Sequence, residues 1–218
     1  MTEPEVIAFD CDGVMFDTET ANRSYYNDIL AHLGKPPLKD EQFAYCQMYT
    51  ADEALAYLLP DKDEYDRAVA FRRKNGYTPY IRYMKMAPDL VDVLSWCRAG
   101  FKTAVATNRS DTMNRVLEIH GLEKYFDLVV TALDVEKPKP HPGQLLKISE
   151  HFGVSPKQVF YIGDSSVDQQ AARAAGAMLA ACCNPSLDAD YHIERLAEIK
   201  SIVGGLKTRK PISPESHS

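Results

Sequence analysis

The sequence predicts an α/β protein whose doubly wound, mainly parallel sheet is interrupted by one all-helical insertion. Three observations lead to this fold class. Short β-rich apolar runs alternate with helical patterns over most of the chain. Polar residues stand directly after several of these runs, and residues 16–83 contain no convincing strand pattern. Continuous apolar runs suit strands that are buried on both faces of a parallel sheet, and alternation with helices is typical of this architecture.

Five apolar runs are the predicted core strands. Each is short and uncharged, as expected of a strand inside a parallel sheet. They are residues 6–9, 103–106, 128–130, 159–162 and 178–182. Because helical patterns separate them, we expect parallel neighbours that are joined by crossover helices.

The helical patterns have clear ends. The i, i+3, i+4 and i+7 spacing of a helix recurs in residues 90–97 and 113–120, and apolar residues at i, i+3 and i+7 mark another helix at 145–152. Gly121 and Gly153 directly follow two of these patterns, and Gly176 follows the alanine-rich segment 168–175. Glycine at this position commonly ends a helix in the left-handed conformation. We expect Ser110 to be the N-cap of the helix at 113–120.

The chain divides into three predicted parts. Residues 1–15 and 84–203 form a Rossmann-like catalytic core, and residues 16–83 form a helical cap. Turn signals near Gly34, Pro60 and Gly76 split the cap into several helices. Residues 204–218 contain glycine, proline, serine and charge without periodicity, so we expect a disordered tail.

Composition narrows the classes of partner. The net charge is −6 and no dense run of lysine and arginine occurs, so we expect no nucleic-acid partner. No stretch is long and apolar enough to span a bilayer, and the first residues lack a signal-peptide pattern. The five cysteines show no zinc-site spacing, which indicates reduced thiols. We expect a monomeric, cytoplasmic protein.

Polar side chains follow the predicted core strands. Asp10 follows the first strand, Thr107 the second and Asp164 the fourth, whereas Lys139 precedes the helix that leads into the fourth. The carboxyl ends of parallel strands meet at one edge of the sheet, where ligands bind. We therefore expect these four residues to converge on one crevice.

Four short motifs at these positions resemble those of the haloacid dehalogenase superfamily, in its phosphatase branch. They are DCDGV at 10–14, TN at 107–108, KPHP at 139–142 and GDSSVD at 163–168. The resemblance covers about residues 5–183 and includes a helical cap inserted after the first strand, as in phosphoglycolate phosphatases and β-phosphoglucomutases. Each motif alone is weakly specific, but four in this order at predicted strand ends are strongly indicative.

The resemblance implies a role for each acidic residue. Asp10 would be the nucleophile that forms an aspartyl-phosphate, and Asp12 the general acid and base. Mg²⁺ would bind the Asp10 carboxylate, the Asp12 backbone carbonyl and the Asp164 carboxylate. Asp168 would lie outside these ligands and orient a water molecule or Lys139, although a direct contact with the metal stays open.

Charge balance gives a separate reason to expect a metal. A pocket that holds Asp10, Asp164 and a phosphate dianion carries four formal negative charges, of which Lys139 offsets one. A hard cation with oxygen ligands is needed before an anion can attack this substrate. The expected cofactor is Mg²⁺.

The phosphoryl group is implied to bind Thr107, Asn108 and Lys139. Thr107 would donate its hydroxyl, and Asn108 its backbone N–H. Lys137 also fits the Lys-Pro-x-Pro pattern, so the choice of lysine is ambiguous by two residues. We prefer Lys139 because its run leads directly into the helical pattern that begins near Gly143.

The cap is implied to close over the site and to supply specificity. We expect a loop with Tyr45, Gln47, Met48 and Tyr49 to contact the leaving group. The predicted function is Mg²⁺-dependent hydrolysis of a small phosphorylated metabolite. A sugar-phosphate mutase of the same family shares the core chemistry and stays open. A phospho-receiver signalling domain is disfavoured by Asp12 and by the helical insertion.

Overall fold

A computed structural model describes residues 2–207 of the chain. The strands are β1 (Val6–Phe9), β2 (Phe16–Asp17), β3 (Lys85–Met86), β4 (Lys102–Ala106), β5 (Leu128–Val130), β6 (Val159–Gly163), β7 (Met178–Cys182) and β8 (Tyr191–Ile193). The α-helices are α1 (Glu19–His32), α2 (Asp40–Met48), α3 (Ala51–Leu58), α4 (Lys62–Asn75), α5 (Leu90–Arg98), α6 (Met113–His120), α7 (Gly143–Phe152), α8 (Ser166–Ala175) and α9 (Ile199–Lys207). Short 3-10 segments lie at Thr78–Tyr83, Glu123–Tyr125, Ala132–Asp134, Pro156–Gln158 and Leu196–Glu198.

The main sheet has β1 near its centre. Its strand order is β5-β4-β1-β6-β7-β8, and every pairing between these strands is parallel. The chain therefore winds first to one side of β1 and then to the other. This confirms the predicted doubly wound α/β fold. The five predicted strands are all present, but β8 was not predicted because Tyr191–Ile193 is no continuous apolar run: the strand has the sequence Tyr-His-Ile, and only Ile193 is buried.

Both faces of the sheet are covered by helices. Ile7 and Phe9 face a hydrophobic cluster that includes residues of α5, α6 and α9. Val6 and Ala8 face a second cluster that includes residues of α7 and α8. Alternate residues of β1 thus enter opposite layers, which explains why the strand is apolar throughout.

Helices α1–α4 and the 3-10 segment at 78–83 lie between β2 and β3, which pair antiparallel. Phe16 lies opposite Met86, and Asp17 opposite Lys85. The strand at Phe16–Asp17 falls where we predicted no strand, because a two-residue strand leaves no periodic signal. The division into core and cap stays our interpretation. We use "cap" for residues 16–83 and "core" for the remaining described residues.

Two predictions about helix ends were wrong. Helix α6 has Thr112 at its N-cap position, whereas the Ser110 hydroxyl donates to the Asp111 carboxylate at 3.1 Å. The loop before α6 is longer than expected, and Arg109 in this loop reaches across to the end of β1, as described below. Helix α9 continues through Gly204 and Gly205, which we had placed in the tail.

The apolar face of α9 explains its length. Ile199 and Val203 are fully buried in the core cluster, and this packing outweighs the low helix propensity of the two glycines. The rest of the predicted tail, residues 208–218, lies outside the described residues. Within residues 2–207, every helix is too short or too polar to cross a bilayer.

Candidate active site

A cleft of about 280 Å³ lies between the carboxyl edge of the main sheet and the cap. It brings together the predicted core residues Asp10, Asp12, Thr107, Asn108, Lys139 and Asp164. On the cap side it is lined by residues that include Asn22, Gln47, Met48, Tyr49, Arg72, Arg73 and Tyr77. Residues far apart in sequence thus share one crevice, as the strand-end argument requires.

The turn after β1 depends on glycine. Asp10 stays attached to the sheet because its N–H donates to the Ile162 carbonyl at 2.9 Å. Gly13 has φ 77°, a left-handed conformation that strains residues with a side chain. A Cβ atom at Gly13 would lie 1.9 Å from Asp164 Oδ2. The glycine therefore permits the turn and leaves room for the Asp164 carboxylate.

Lys139 lies at the bottom of the cleft. Its Nζ is 3.0 Å from Asp10 Oδ1, 2.6 Å from Asp168 Oδ1, 2.8 Å from the Tyr161 hydroxyl and 3.1 Å from the Ala106 carbonyl. Burial lowers the pKa of this ammonium, but Asp10 and Asp168 outweigh burial and raise the pKa above its usual value. Lys139 is therefore a fixed positive charge.

Lys137 is exposed and does not line the cleft. The geometry therefore favours Lys139 over Lys137 as the lysine of the phosphate site, a choice that the sequence left ambiguous.

Asp168 is fully buried and its oxygens are occupied. It accepts hydrogen bonds from Lys139, from the Tyr161 hydroxyl at 2.6 Å and from the Ser165 hydroxyl and N–H. Burial raises the pKa of Asp168, but Lys139 outweighs it and holds the pKa below its usual value. An ionised carboxylate with these partners is suited to position Lys139.

The acid cluster fits a cation with oxygen ligands. Carboxylate oxygens of Asp10, Asp164 and Asp168 all lie within 4.8 Å of one another. Although Lys139 Nζ is near Asp10 Oδ1, that oxygen accepts no hydrogen bond of regular geometry from the part of the chain that the structure describes. Burial is the main cause that raises the pKa of Asp10 to about 7 and the pKa of Asp164 well above its usual range. Such a pair of acids is matched by a divalent cation such as Mg²⁺.

Asp12 has a partner that the sequence analysis missed. Arg109 Nε donates to Asp12 Oδ2 and Arg109 Nη2 donates to Asp12 Oδ1, both at 2.7 Å. Burial raises the pKa of Asp12, but Arg109 outweighs burial and lowers it. The sequence held one signal for Arg109: it comes directly after Thr107-Asn108, at the edge of the sheet where the other site residues were expected.

Two amide side chains hold the phosphate-site loops together. Asn108 Nδ2 donates to the carbonyls of Lys139 at 2.9 Å and of Met48 at 3.0 Å, and Asn108 Oδ1 accepts from the Lys139 N–H at 3.0 Å. Gln144, fully buried, donates to the Thr107 carbonyl at 2.7 Å and accepts from the Lys139 N–H at 3.1 Å. The Asn108 side chain thus has a structural task that we did not predict, beside the expected role of its N–H.

The predicted specificity segment is only partly at the cleft. Gln47, Met48 and Tyr49 line it, whereas Tyr45 does not. The Tyr45 ring instead stacks on Tyr49 at 4.3 Å and on Tyr57 at 4.2 Å. The expectation of a loop was wrong because α2 continues through Met48. A helix turns successive side chains to different faces, and Tyr45 points away.

A polar cluster joins the cap to Asp12. Asn22 Nδ2 donates to Asp12 Oδ1 at 3.2 Å and also contacts Gln47 Oε1. The Tyr77 hydroxyl donates to Asn22 Oδ1 and accepts from Arg109 Nη2 at 3.2 Å. The proposed acid–base residue is therefore in contact with the cap as well as the core.

The chain matches known proteins over most of its length. The family model described as haloacid dehalogenase-like hydrolase matches residues 7–182. A relative from Caldanaerobacter subterraneus subsp. tengcongensis, named as a pyrophosphatase, is 30% identical over 91% of this chain and 94% of its own length. Phosphoglycolate phosphatase of Escherichia coli K12 is 33% identical over 146 residues, which are 66% of this chain and 51% of that protein.

Solved structures give the same result. A haloacid dehalogenase-superfamily hydrolase from Geobacter sulfurreducens has a TM-score of 0.76 and 36% identity, and the match covers 92% of this chain and 97% of that chain. β-Phosphoglucomutase from Clostridium difficile has a TM-score of 0.81 at 20% identity, over 94% of this chain and all of that chain, which shows a shared fold. The present chain belongs to the family of haloacid dehalogenase-like hydrolases.

Proposed function

We propose that this protein is a Mg²⁺-dependent phosphatase that hydrolyses a small phosphorylated metabolite through an aspartyl-phosphate on Asp10. The single observation that carries the proposal is the arrangement around Asp10. One oxygen of this buried carboxylate accepts no hydrogen bond of regular geometry from residues 2–207. The carboxylate lies beside a buried ammonium, Lys139, and a second acid, Asp164. This arrangement supplies a nucleophile and the charges that a phosphoryl group requires.

The first half-reaction transfers the phosphoryl group to Asp10. Lys139, the Thr107 hydroxyl and the Asn108 N–H bind the phosphoryl oxygens and hold phosphorus in line with the Asp10 carboxylate. The bond from Asp10 to phosphorus forms as the bond to the leaving oxygen breaks. Asp12 is ionised while Arg109 is paired with it, so it first takes up a proton from water and then gives that proton to the leaving oxygen, and the product leaves as a neutral alcohol.

The second half-reaction restores the enzyme. Asp12, now ionised, accepts a proton from a water molecule that attacks phosphorus. The bond from phosphorus to Asp10 breaks, and inorganic phosphate is released. The cap covers the cleft and so limits which molecules reach the aspartyl-phosphate.

The metal would be held by the carboxylates of Asp10 and Asp164 and by the backbone carbonyl of Asp12. When bound, it supplies positive charge that offsets the phosphoryl group and the two acids. Asp168 keeps Lys139 in place and lies outside this ligand set, because its oxygens already accept hydrogen bonds.

The relatives support a phosphoryl-transfer function. The two curated relatives described above are named for hydrolysis of phosphate compounds, a pyrophosphatase and a phosphoglycolate phosphatase. Similarity to β-phosphoglucomutase is a similarity of fold, and a mutase would return the phosphoryl group to a sugar phosphate. Product analysis separates these outcomes, because only a phosphatase releases inorganic phosphate in step with the alcohol.

The test is phosphate release by the full-length protein from a panel of phosphorylated metabolites, with p-nitrophenyl phosphate as a generic ester. We expect turnover with Mg²⁺, loss of turnover in EDTA, and recovery when Mg²⁺ is restored in excess. Turnover that is indifferent to EDTA would contradict the metal requirement. Conversion of a sugar phosphate to its isomer without phosphate release would favour the mutase.

A further inference from the structure

The Asp12–Arg109 ion pair occupies the groups that catalysis requires. Both carboxylate oxygens accept 2.7 Å hydrogen bonds from the guanidinium, and the Asn22 amide donates to one of them as well. The side chains of Arg109 and Asp12 are only 8% and 15% exposed. In this arrangement, no Asp12 oxygen is left unoccupied for the leaving oxygen of a substrate.

The pair lies at the leaving-group end of the cleft. Asp10 and Lys139 hold the phosphoryl group at the sheet edge, so the remainder of the substrate extends toward the cap. Arg109 is on that side, because its guanidinium lies 4.7 Å from the centre of the Tyr77 ring and donates to the Tyr77 hydroxyl. A group on the leaving side of the substrate therefore meets Arg109.

The leaving oxygen and the guanidinium compete for the same two oxygens. A neutral leaving group that displaced Arg109 would leave a nearly buried guanidinium without a carboxylate, which is strongly unfavourable. An oxyanion on the leaving group avoids this loss, since it can replace Asp12 in the same bidentate geometry. The exchange leaves Arg109 paired and makes Asp12 available.

We propose that the substrate carries a second oxyanion, a carboxylate or a phosphate, on its leaving group, and that Arg109 binds this oxyanion in exchange for Asp12. The proposal rests on the proposed phosphatase function and names its substrate class and specificity residue. Arg73 adds positive charge at the mouth of the same cleft. It is exposed, and within residues 2–207 it forms no ion pair with a carboxylate.

The experiment compares matched esters with the full-length protein and Mg²⁺. 3-Phosphoglycerate and glycerol 3-phosphate differ only by a carboxylate in place of a hydroxymethyl group. Propane-1,3-diol bisphosphate and 3-hydroxypropyl phosphate differ by a second phosphate. We expect kcat/KM to be on the order of 100-fold higher for the anionic member of at least one pair. The pair that shows the preference identifies the oxyanion.

Variants then connect the preference to Arg109. In Arg109→Gln the preference should fall to within about threefold, and Arg109→Lys, which keeps the charge but loses the fork, should also lose most of it. Lys74→Gln, on the same cap helix as Arg73 but away from the cleft, should keep the wild-type preference. Equal rates on both members of each pair in the wild type would overturn the proposal, as would an unchanged preference in both Arg109 variants.

Failure of this proposal is distinguishable from failure of the proposed function. If p-nitrophenyl phosphate is hydrolysed but neither pair shows a preference, only the role of Arg109 is wrong. If no ester is hydrolysed, the phosphatase function is wrong. Calorimetry still tests the exchange when turnover is absent. The esters are titrated into the Asp10→Asn variant and into the double variant Asp10→Asn/Arg109→Gln, and the anionic ester should bind the double variant on the order of 100-fold more weakly. Equal binding to both proteins would overturn it.

Discussion

The core and the cap contribute different kinds of group to one cleft. On the core side, Asp10, Lys139 and Asp168 form a buried cluster of ion pairs. On the cap side, the Tyr25 ring packs edge-on against the rings of Tyr26 and Tyr77, with centroids 5.1 and 5.0 Å apart. Apart from the two arginines of α4, the cap residues that line the cleft have aromatic, amide, aliphatic or sulfur-containing side chains.

This difference in charge between the two sides of the cleft suggests which side chains must be kept and which can be substituted. A buried charge cluster tolerates few substitutions, because removing one member leaves another unpaired. Neutral cap side chains can be replaced without unbalancing the core charges. We infer that the reaction is determined by the core and its selectivity by the cap, with Arg109 as the core residue that takes part in both. The following predictions test this division.

The largest effect is expected at the centre of the core cluster. Asp10→Asn keeps the shape of the side chain but removes the nucleophile, so kcat should fall by roughly 10⁴-fold or more on every ester, aryl or alkyl. Circular dichroism should show an unchanged fold. Asp66→Asn, an exposed cap position, is the control and should keep wild-type activity. Activity above a few per cent in Asp10→Asn would remove the nucleophile assignment.

The second effect is a pH dependence of the metal-free protein. Asp10 has a pKa of about 7 when folded, against a usual value of 3.8. Because burial raises this pKa, the folded state is favoured by the neutral carboxyl, and stability falls as pH rises from about 4 to 7. The Asp10 contribution is on the order of 4 kcal/mol. Asp164 acts in the same direction.

Urea unfolding in EDTA at several pH values from 4.5 to 7.5 measures this effect. Comparison with Asp10→Asn subtracts the contribution that other titrating groups make to the pH dependence. One such group is His120, whose pKa is lowered by burial. The variant should lose less stability over this range than the wild type. If the free energy of unfolding changed with pH by the same amount in both proteins, burial of the Asp10 carboxyl would not raise its pKa in the metal-free state.

A third effect is stabilisation by the metal, whose positive charge would offset the carboxylates of Asp10 and Asp164. At a Mg²⁺ concentration about 100 times its Kd, binding should add about 2.7 kcal/mol of stability, which is a rise in Tm of roughly 5–10 °C. Asp164→Asn removes a proposed ligand and should lose most of the rise. The Asp63→Asn control, in the cap, should keep it. A wild-type Tm that does not respond to Mg²⁺ would argue against a metal site here.

The smallest effect is expected at the mouth of the cleft, on the cap. Arg73→Gln should raise KM for an anionic substrate about two- to fourfold at low salt, and the effect should fade near 0.5 M salt because the charge is exposed. Lys74→Gln is the matched control: it removes the same charge from the next residue, which does not line the cleft. Equal changes in both variants would indicate a general charge effect rather than a local contact.

The sequence was sufficient to predict those parts of the fold that a local residue pattern determines. The run Val6–Phe9 is continuous and apolar because both faces are buried, and the structure reproduces its bounds. The strands β4 and β6 each extend one residue beyond the predicted runs. The convergence of Asp10, Thr107, Lys139 and Asp164 followed from the rule that strand ends share one edge. The structure brings these residues together, whereas their catalytic roles stay predictions.

Contacts between distant segments could not be predicted. Tyr161 reads as one more apolar strand residue, yet its hydroxyl binds Lys139 and Asp168. The Asp12–Arg109 pair joins residues whose separation carries no periodic signal. Tyr45 was misplaced because a helix, rather than a loop, fixes the direction of its side chain. In each case three-dimensional orientation decides the contact, and sequence pattern reports only secondary structure and burial.

The short pairing of β2 with β3 has a consequence for how this protein can be altered. The chain leaves the core and returns to it side by side, and the Ala87 N–H donates to the Met15 carbonyl at 2.9 Å. Both ends of the cap therefore join the core at one place. We expect that a tight turn grafted between Phe16 and Lys85 would leave β1 and α5 in register, so lids of other sizes could be attached at this joint, although each new lid would have to replace the hydrogen bonds that Asn22 and Tyr77 form with Asp12 and Arg109.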